Sequence, residues 1–214
     1  MNDPYFRDVP SMQEKARKTA NAFHAKDDVP EVRREVYRLL RNMEGLRFSA
    51  VVTDKRRVLE YVRHRNESNP DYRYHPNELY DYLIPRLFKE RLHQSNRYHI
   101  IFSKLGKSNR TVALRQGLEK ARDSSVKRQN IASDAFLKVS VGTPKQQAGL
   151  QAVDYFVWAL QRLYERGEDR YVKYLWRAFR LVQDIDDRRQ AGNGMYYTQK
   201  KPLDAATLEW RKDI

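Results

Sequence analysis

Asp154 is the residue whose placement most demands a chemical explanation. It interrupts QAGLQAVDYFVWAL (residues 147–160), the most apolar stretch of a sequence that is 33% charged. On a helical wheel Ala152, Val153, Phe156, Val157, Ala159 and Leu160, continued by Leu163 and Tyr164, cover more than half the circumference. Asp154 falls at the border of that face, beside a stripe of Gln147, Gln151, Trp158 and Gln161. A half-sheltered carboxylate is costly unless a cation, a metal ion or several N–H donors meet it. Two readings follow: Asp154 pairs with a lysine or bonds a strand end, or it is a metal ligand aimed at the edge of a sheet. The spacing fits both.

Other residues suggest phosphate chemistry. Residues 86–128 hold twelve Lys/Arg against three acids, a balance of +9 within a net charge of +14. The turn SKLGKSNR (residues 103–110) places glycine and serines among its cations, which makes Lys104, Lys107 and Arg110 the best phosphate contacts, followed by Arg115. Tyr72, Tyr74, Tyr80 and Tyr82, amid Arg73 and His75, either stack bases or fill a satellite core. Asp28 with Glu31 reads as a capping box, and His24 as a cation at a helix C-terminus. Asp184, Asp186 and Asp187, followed by Arg188 and Arg189, read as a surface ion-pair patch. The histidines lack paired zinc spacing, and no P-loop, dinucleotide fingerprint or nucleophile elbow is present.

These residues need elements to position them. Apolar periodicity predicts helices over 11–23, 31–43, 77–92 (kinked at Pro85), 109–127, the segment of Asp154, and 171–179. Alternation predicts strands over 46–54, 97–103 and 136–141, and YVRHRNESNPDYRYHPN (61–77) reads as a polar connection. Strands separated by helices imply right-handed crossovers and an α/β fold with a mostly parallel sheet. Its shared carboxyl edge would gather Asp54, Lys55, Ser103, Lys104 and Ser140. The expected organisation is one domain over 1–190 and a C-terminal surface tail over 191–214.

The bulk properties narrow the partners. A pI near 9.9 favours a polyanion, DNA or RNA first. No apolar run approaches the ~20 residues that span a bilayer, so no membrane partner is expected. The first residues lack a signal-peptide layout and the chain has no cysteine, so the expected location is cytoplasmic, with no disulfide framework.

The run Leu150-Gln151-Ala152-Val153-Asp154 resembles the closing L-Q-x-x-D motif of an RNase H-like prokaryotic family known as domain of unknown function 3800. Phe23-His24-Ala25-Lys26-Asp27-Asp28 with Val32-Arg33, and Val51-Val52-Thr53-Asp54-Lys55, look like two further stretches of that family. The resemblance spans roughly residues 10–190. It implies an RNase H-like three-layer fold and a carboxylate cluster holding Mg²⁺ or Mn²⁺ for phosphodiester hydrolysis. Asp154 and Asp54 would be catalytic ligands, joined by Asp28 and His24, with Lys55 beside them on the nucleic acid. The family's D-E-S-G strand and the F-x-L-G-G strand after it have no counterpart here, and Ser103-Lys104 replaces an acid. The first strands are thus missing, and a partner chain or second copy is expected over the exposed sheet edge. Two functions follow: a metal-dependent nuclease, or a nucleic-acid-binding or assembly module that lacks catalysis.

Overall fold

In a computed structural model the described residues are 21–75, 77–89, 91–92, 94–104, 111–129, 135–189, 192 and 194–213. The helix expected over 11–23 lies outside them apart from its last three residues, of which Asn21 and Ala22 form turn and bend and Phe23 is irregular. Lys107, Arg110 and His93 lie outside them as well. The fold is mixed α/β. In chain order the elements are α1 (Pro30–Asn42), β1 (Phe48–Val52), α2 (Lys55–Ser68), α3 (Asn77–Phe88), β2 (Arg97–Ser103) and α4 (Thr111–Gln129). Then come β3 (Phe136–Gly142), α5 (Ala148–Arg166), α6 (Arg170–Leu175), a 3₁₀ turn (Trp176–Ala178), β4 (Phe179–Asp184), β5 (Met195–Tyr197) and a 3₁₀ helix (Ala206–Asp213).

The three expected strands all form, but they do not share one sheet. β2 and β3 make a two-stranded parallel sheet, while β1 belongs to a mixed sheet of order β1-β4-β5. The reason lies in β4, whose sequence FRLVQD buries Val182, Gln183 and Asp184 in succession and so shows no alternation. Its start had read as the end of a helix over 171–179; α6 instead stops at Leu175. Ile185 N–H donates to Val52 O at 3.1 Å, so the carboxyl ends of β1 and β4 lie side by side.

The chain divides into two compact units, and β1, β4 and β5 each carry residues of both. Unit 1 comprises Met1–Ser49, Gly142–Leu181 and Tyr197–Ile214. Its core is aromatic: Phe48 stacks on Phe156 at 4.6 Å and meets Phe179 edge-on at 5.1 Å, while Tyr37 packs against Tyr155 and Tyr171. Such ring pairs add about 0.5–1.5 kcal/mol each beyond the area they bury. α5 buries Tyr155, Phe156, Ala159, Leu160 and Leu163, but Val153 and Val157 are about half exposed. The helix is therefore pressed on one side rather than over most of its girth. It ends at Gly167, whose φ of 66° lets its N–H return to Leu163 O. Tyr197 and Leu203 are fully buried and Leu208 is nearly so, so the segment that read as a surface tail helps to form this core.

Unit 2 comprises Ala50–Val141 and Val182–Tyr196. Ile84, Leu92, Leu114, Leu118 and Ala121 form its core, covered by Tyr98, Ile100 and Phe102 of β2 and by Leu137 and Val139 of β3. Gly117 of α4 faces Ile84 of α3, where a Cβ would touch at 3.4 Å, so the helices approach closely at that level. Half of the expected connection proves helical. α2 fully buries none of its residues, and its apolar positions Val58, Leu59, Tyr61 and Val62 fall within five residues of a charged segment, a stripe too short for periodicity to reveal. Among the described residues no helix is long and apolar enough to cross a membrane.

Candidate functional site

The local role of Asp154 is clear in unit 1. Its Oδ2 accepts the backbone N–H of Ala25 at 2.8 Å, and His24 Nε2 lies 3.6 Å from its Oδ1. Around this bond α1 and α5 hold the turn 24–28 with four side chains. Gln151 Oε1 accepts Phe23 N–H at 3.0 Å, and Arg33 donates to Ala25 O and Asp28 O, both at 2.7 Å. Arg33 also lies over the Trp158 ring, 4.7 Å from its centroid. Tyr155 O–H donates to Asp28 Oδ2, which also accepts His24 N–H at 2.9 Å.

Asp28 is thus a buried acceptor and not the cap of α1. The cap position is Val29, which makes no side-chain cap bond, and Glu31 occupies the first turn. Burial, then the bond to Asp28, pushes the Tyr155 hydroxyl well above the ordinary tyrosine value, so it remains a neutral donor. His24 does not close a described helix; it is an exposed residue whose O accepts Asp27 and Asp28 N–H.

Asp154, from a distant part of the chain, therefore does lie against the turn that carries His24 and Asp28. Their arrangement is that of a latch. Among the described residues no group of three or more histidines, aspartates or glutamates could hold a metal ion. Asp28 Oδ2 already receives two donors and Asp154 Oδ2 one. The described residues therefore do not fit Mg²⁺ or Mn²⁺, and no catalytic step through a metal follows from them. Arg33, Gln151 and Tyr155 are latch residues to which sequence reasoning gave no site role. The available signal was the spacing 151, 154, 155 and 158, which lines one edge of α5.

Asp54 belongs to unit 2 and has a local task of its own. It caps α2, accepting Arg56 N–H at 2.9 Å and pairing with the Arg56 guanidinium at 2.8 Å. The acid run after β4 is not a surface patch, since Asp184 and Asp187 are fully buried. Asp184 Oδ1 accepts Asp186 N–H, Asp187 pairs with Arg189 at 2.7 Å, and Asp186 Oδ2 accepts Thr53 O–H at 3.0 Å and Asp54 N–H at 2.5 Å. Asp186 thereby fixes the end of β1 against the end of β4.

The other concentration of chemistry is a cavity of about 660 Å³ within unit 2. Tyr61, Tyr74 and Tyr82 line it with Arg57, His64 and Arg188; Glu60, Glu78 and Asp186 supply its carboxylates, and Val58, Leu79 and Ile185 its apolar lining. Glu78 Oε2 accepts Tyr72 O–H at 2.7 Å and Oε1 accepts His75 N–H at 2.9 Å. The Tyr72 bond, then that of His75, holds Glu78 below the usual carboxylate range, and the same bond pushes Tyr72 up to about 12. Of the expected phosphate contacts, Lys55, Lys104 and Arg115 are exposed cations of this unit.

Compared with models of known protein families, with curated proteins and with solved structures, the chain gives no match.

Proposed function

We propose that this protein binds nucleic acid through unit 2 and works as a binding module, of the RNase H-like kind its motifs resemble, without a hydrolytic metal centre of its own. The observation that carries this reading is α2. A fourteen-residue helix that fully buries none of its residues, and exposes Leu59 and Tyr61 by half or more, offers most of its surface outward, with Val58 and Val62 half-buried. It holds Lys55, Arg56, Arg57, Arg63 and Arg65 against Glu60 and Glu67. Among the described residues neither Lys55 nor Arg63 has an acidic partner at ion-pair distance, whereas Arg56 and Arg57 are paired. A one-signed excess on an unburied face suits a phosphate backbone. The net charge of +14, and the exposed Lys104 and Arg115, support the same partner.

Fluorescence anisotropy of a labelled single-stranded oligonucleotide across a salt series tests this reading. Each lost phosphate contact removes about 0.7 from the slope of log K against log salt for single strands, so Lys55→Ala/Arg63→Ala is expected to flatten it by about 1.4. An unchanged slope would remove α2 from the interface. A metal-dependent nuclease is the competing reading that the resemblance implies, and the donors already held by Asp28 and Asp154 count against it.

A further inference from the structure

We infer that the cavity of unit 2 receives one unstacked nucleobase of a single-stranded nucleic acid, an inference that rests on the nucleic-acid reading above. Three backbone segments deliver its rings: Tyr61 comes from α2, Tyr74 from the loop that follows, and Tyr82 from α3. Rings that merely filled a satellite core would be buried, but Tyr61 is 50% exposed and Tyr82 47%. Guanidinium groups brace both. Arg86 lies over Tyr82, 3.5 Å from the ring centroid, and Arg65 donates to the Tyr61 hydroxyl at 2.6 Å. A base on the other face of Tyr82 completes a guanidinium–tyrosine–base stack, the sequence-tolerant contact of single-strand binders.

Charge decides which part of a nucleotide goes inside. The cavity walls carry the cations Arg57 and Arg188 against the carboxylates Glu60, Glu78 and Asp186, with His64 beside them. Arg57 is moreover committed to Glu60 at 3.0 Å. A phosphate inside would meet more anions than cations, whereas a neutral heteroaromatic ring meets apolar side chains, tyrosine rings and acceptors for its amino groups. The phosphates then lie outside, on the cations of α2. A volume of about 660 Å³ is ample for one base and falls within the range of small-ligand sites. A paired base in a duplex cannot enter without leaving its stack, so single strands are preferred.

The test uses the full chain and labelled single-stranded and duplex oligonucleotides of one sequence, with thermal melts of every variant. Tyr61→Ala and Tyr82→Ala are each expected to weaken single-strand binding about tenfold, the size of one lost base–aromatic stack. The salt slope should stay as in the parent, duplex binding should change little, and Tyr61→Phe and Tyr82→Phe should retain most of the affinity. Unchanged single-strand affinity in the alanine variants, or equal losses on duplex and single strand, overturns the cavity as a base site while binding itself stands. A parent protein that binds neither oligonucleotide overturns the nucleic-acid reading and this inference with it.

Discussion

Gly194→Ala is expected to destabilise the protein by about 3–5 kcal/mol, a large share of the ~5–15 kcal/mol that holds a typical domain together. Gly194 adopts φ 84°, which an L side chain rarely tolerates. A Cβ at that position would lie 2.6 Å from Ile185 Cα and closer still to Asp184 O. Both are backbone atoms, so no rotamer change relieves the clash. The contact joins the two arms of the β4–β5 connection, where Gln183 Nε2 also donates to Tyr196 OH at 3.0 Å. Movement there displaces Ile185 and Asp186, which line the unit 2 cavity, so binding should weaken along with stability. Urea denaturation followed by tryptophan fluorescence reads the effect. A loss below about 1 kcal/mol would mean that the connection shifts freely, contrary to this packing.

Asp28→Ala is expected to cost about 1–4 kcal/mol, because it leaves the buried Tyr155 hydroxyl and the part-buried His24 N–H without their acceptor, and an unsatisfied buried group costs about 1–3 kcal/mol. Tyr155 is completely buried, and its hydroxyl and the His24 N–H both point at the same Asp28 oxygen. Asp28→Asn keeps an acceptor oxygen there and should lose much less. Tyr155→Phe removes one donor and should fall between the two. Thermal melts of the three variants rank them. If asparagine proves as damaging as alanine, the negative charge matters more than the bonds, and a charge-based role for Asp28 would have to replace the latch.

The legibility of this fold followed local chemistry. β2 coincides with the alternating RYHIIFS, and α1 and α5 form where apolar residues recur at helical spacing. α2 escaped notice because its apolar residues, Val58, Leu59, Tyr61 and Val62, make a stripe of only five positions in a charged segment. β4 escaped because two of its three consecutive buried residues are polar: Gln183 finds a partner on the later strand at Tyr196, and Asp184 one in the turn that follows at Asp186 N–H. Asp154 is the sharpest case. Its spacing showed that it is sheltered and needs a donor, but the donor is Ala25 N–H, 129 residues away in the chain, and no local pattern reports such a partner. Tyr74 and Tyr82 stood out as base-stacking candidates in a tyrosine-rich run. Their cavity became visible only once α2 had brought Arg57 and Tyr61 to it.

One measurement separates binding from hydrolysis most directly: incubation of a labelled single-stranded oligonucleotide with the full chain in EDTA and in Mn²⁺, recording affinity and strand length together. The account predicts equal affinity in both, an intact strand, and the same outcome for Asp154→Asn, whose remaining oxygen still accepts Ala25 N–H. Cleavage that requires Mn²⁺ and disappears in Asp154→Asn would contradict it, and would make Asp154 a metal ligand instead of a latch.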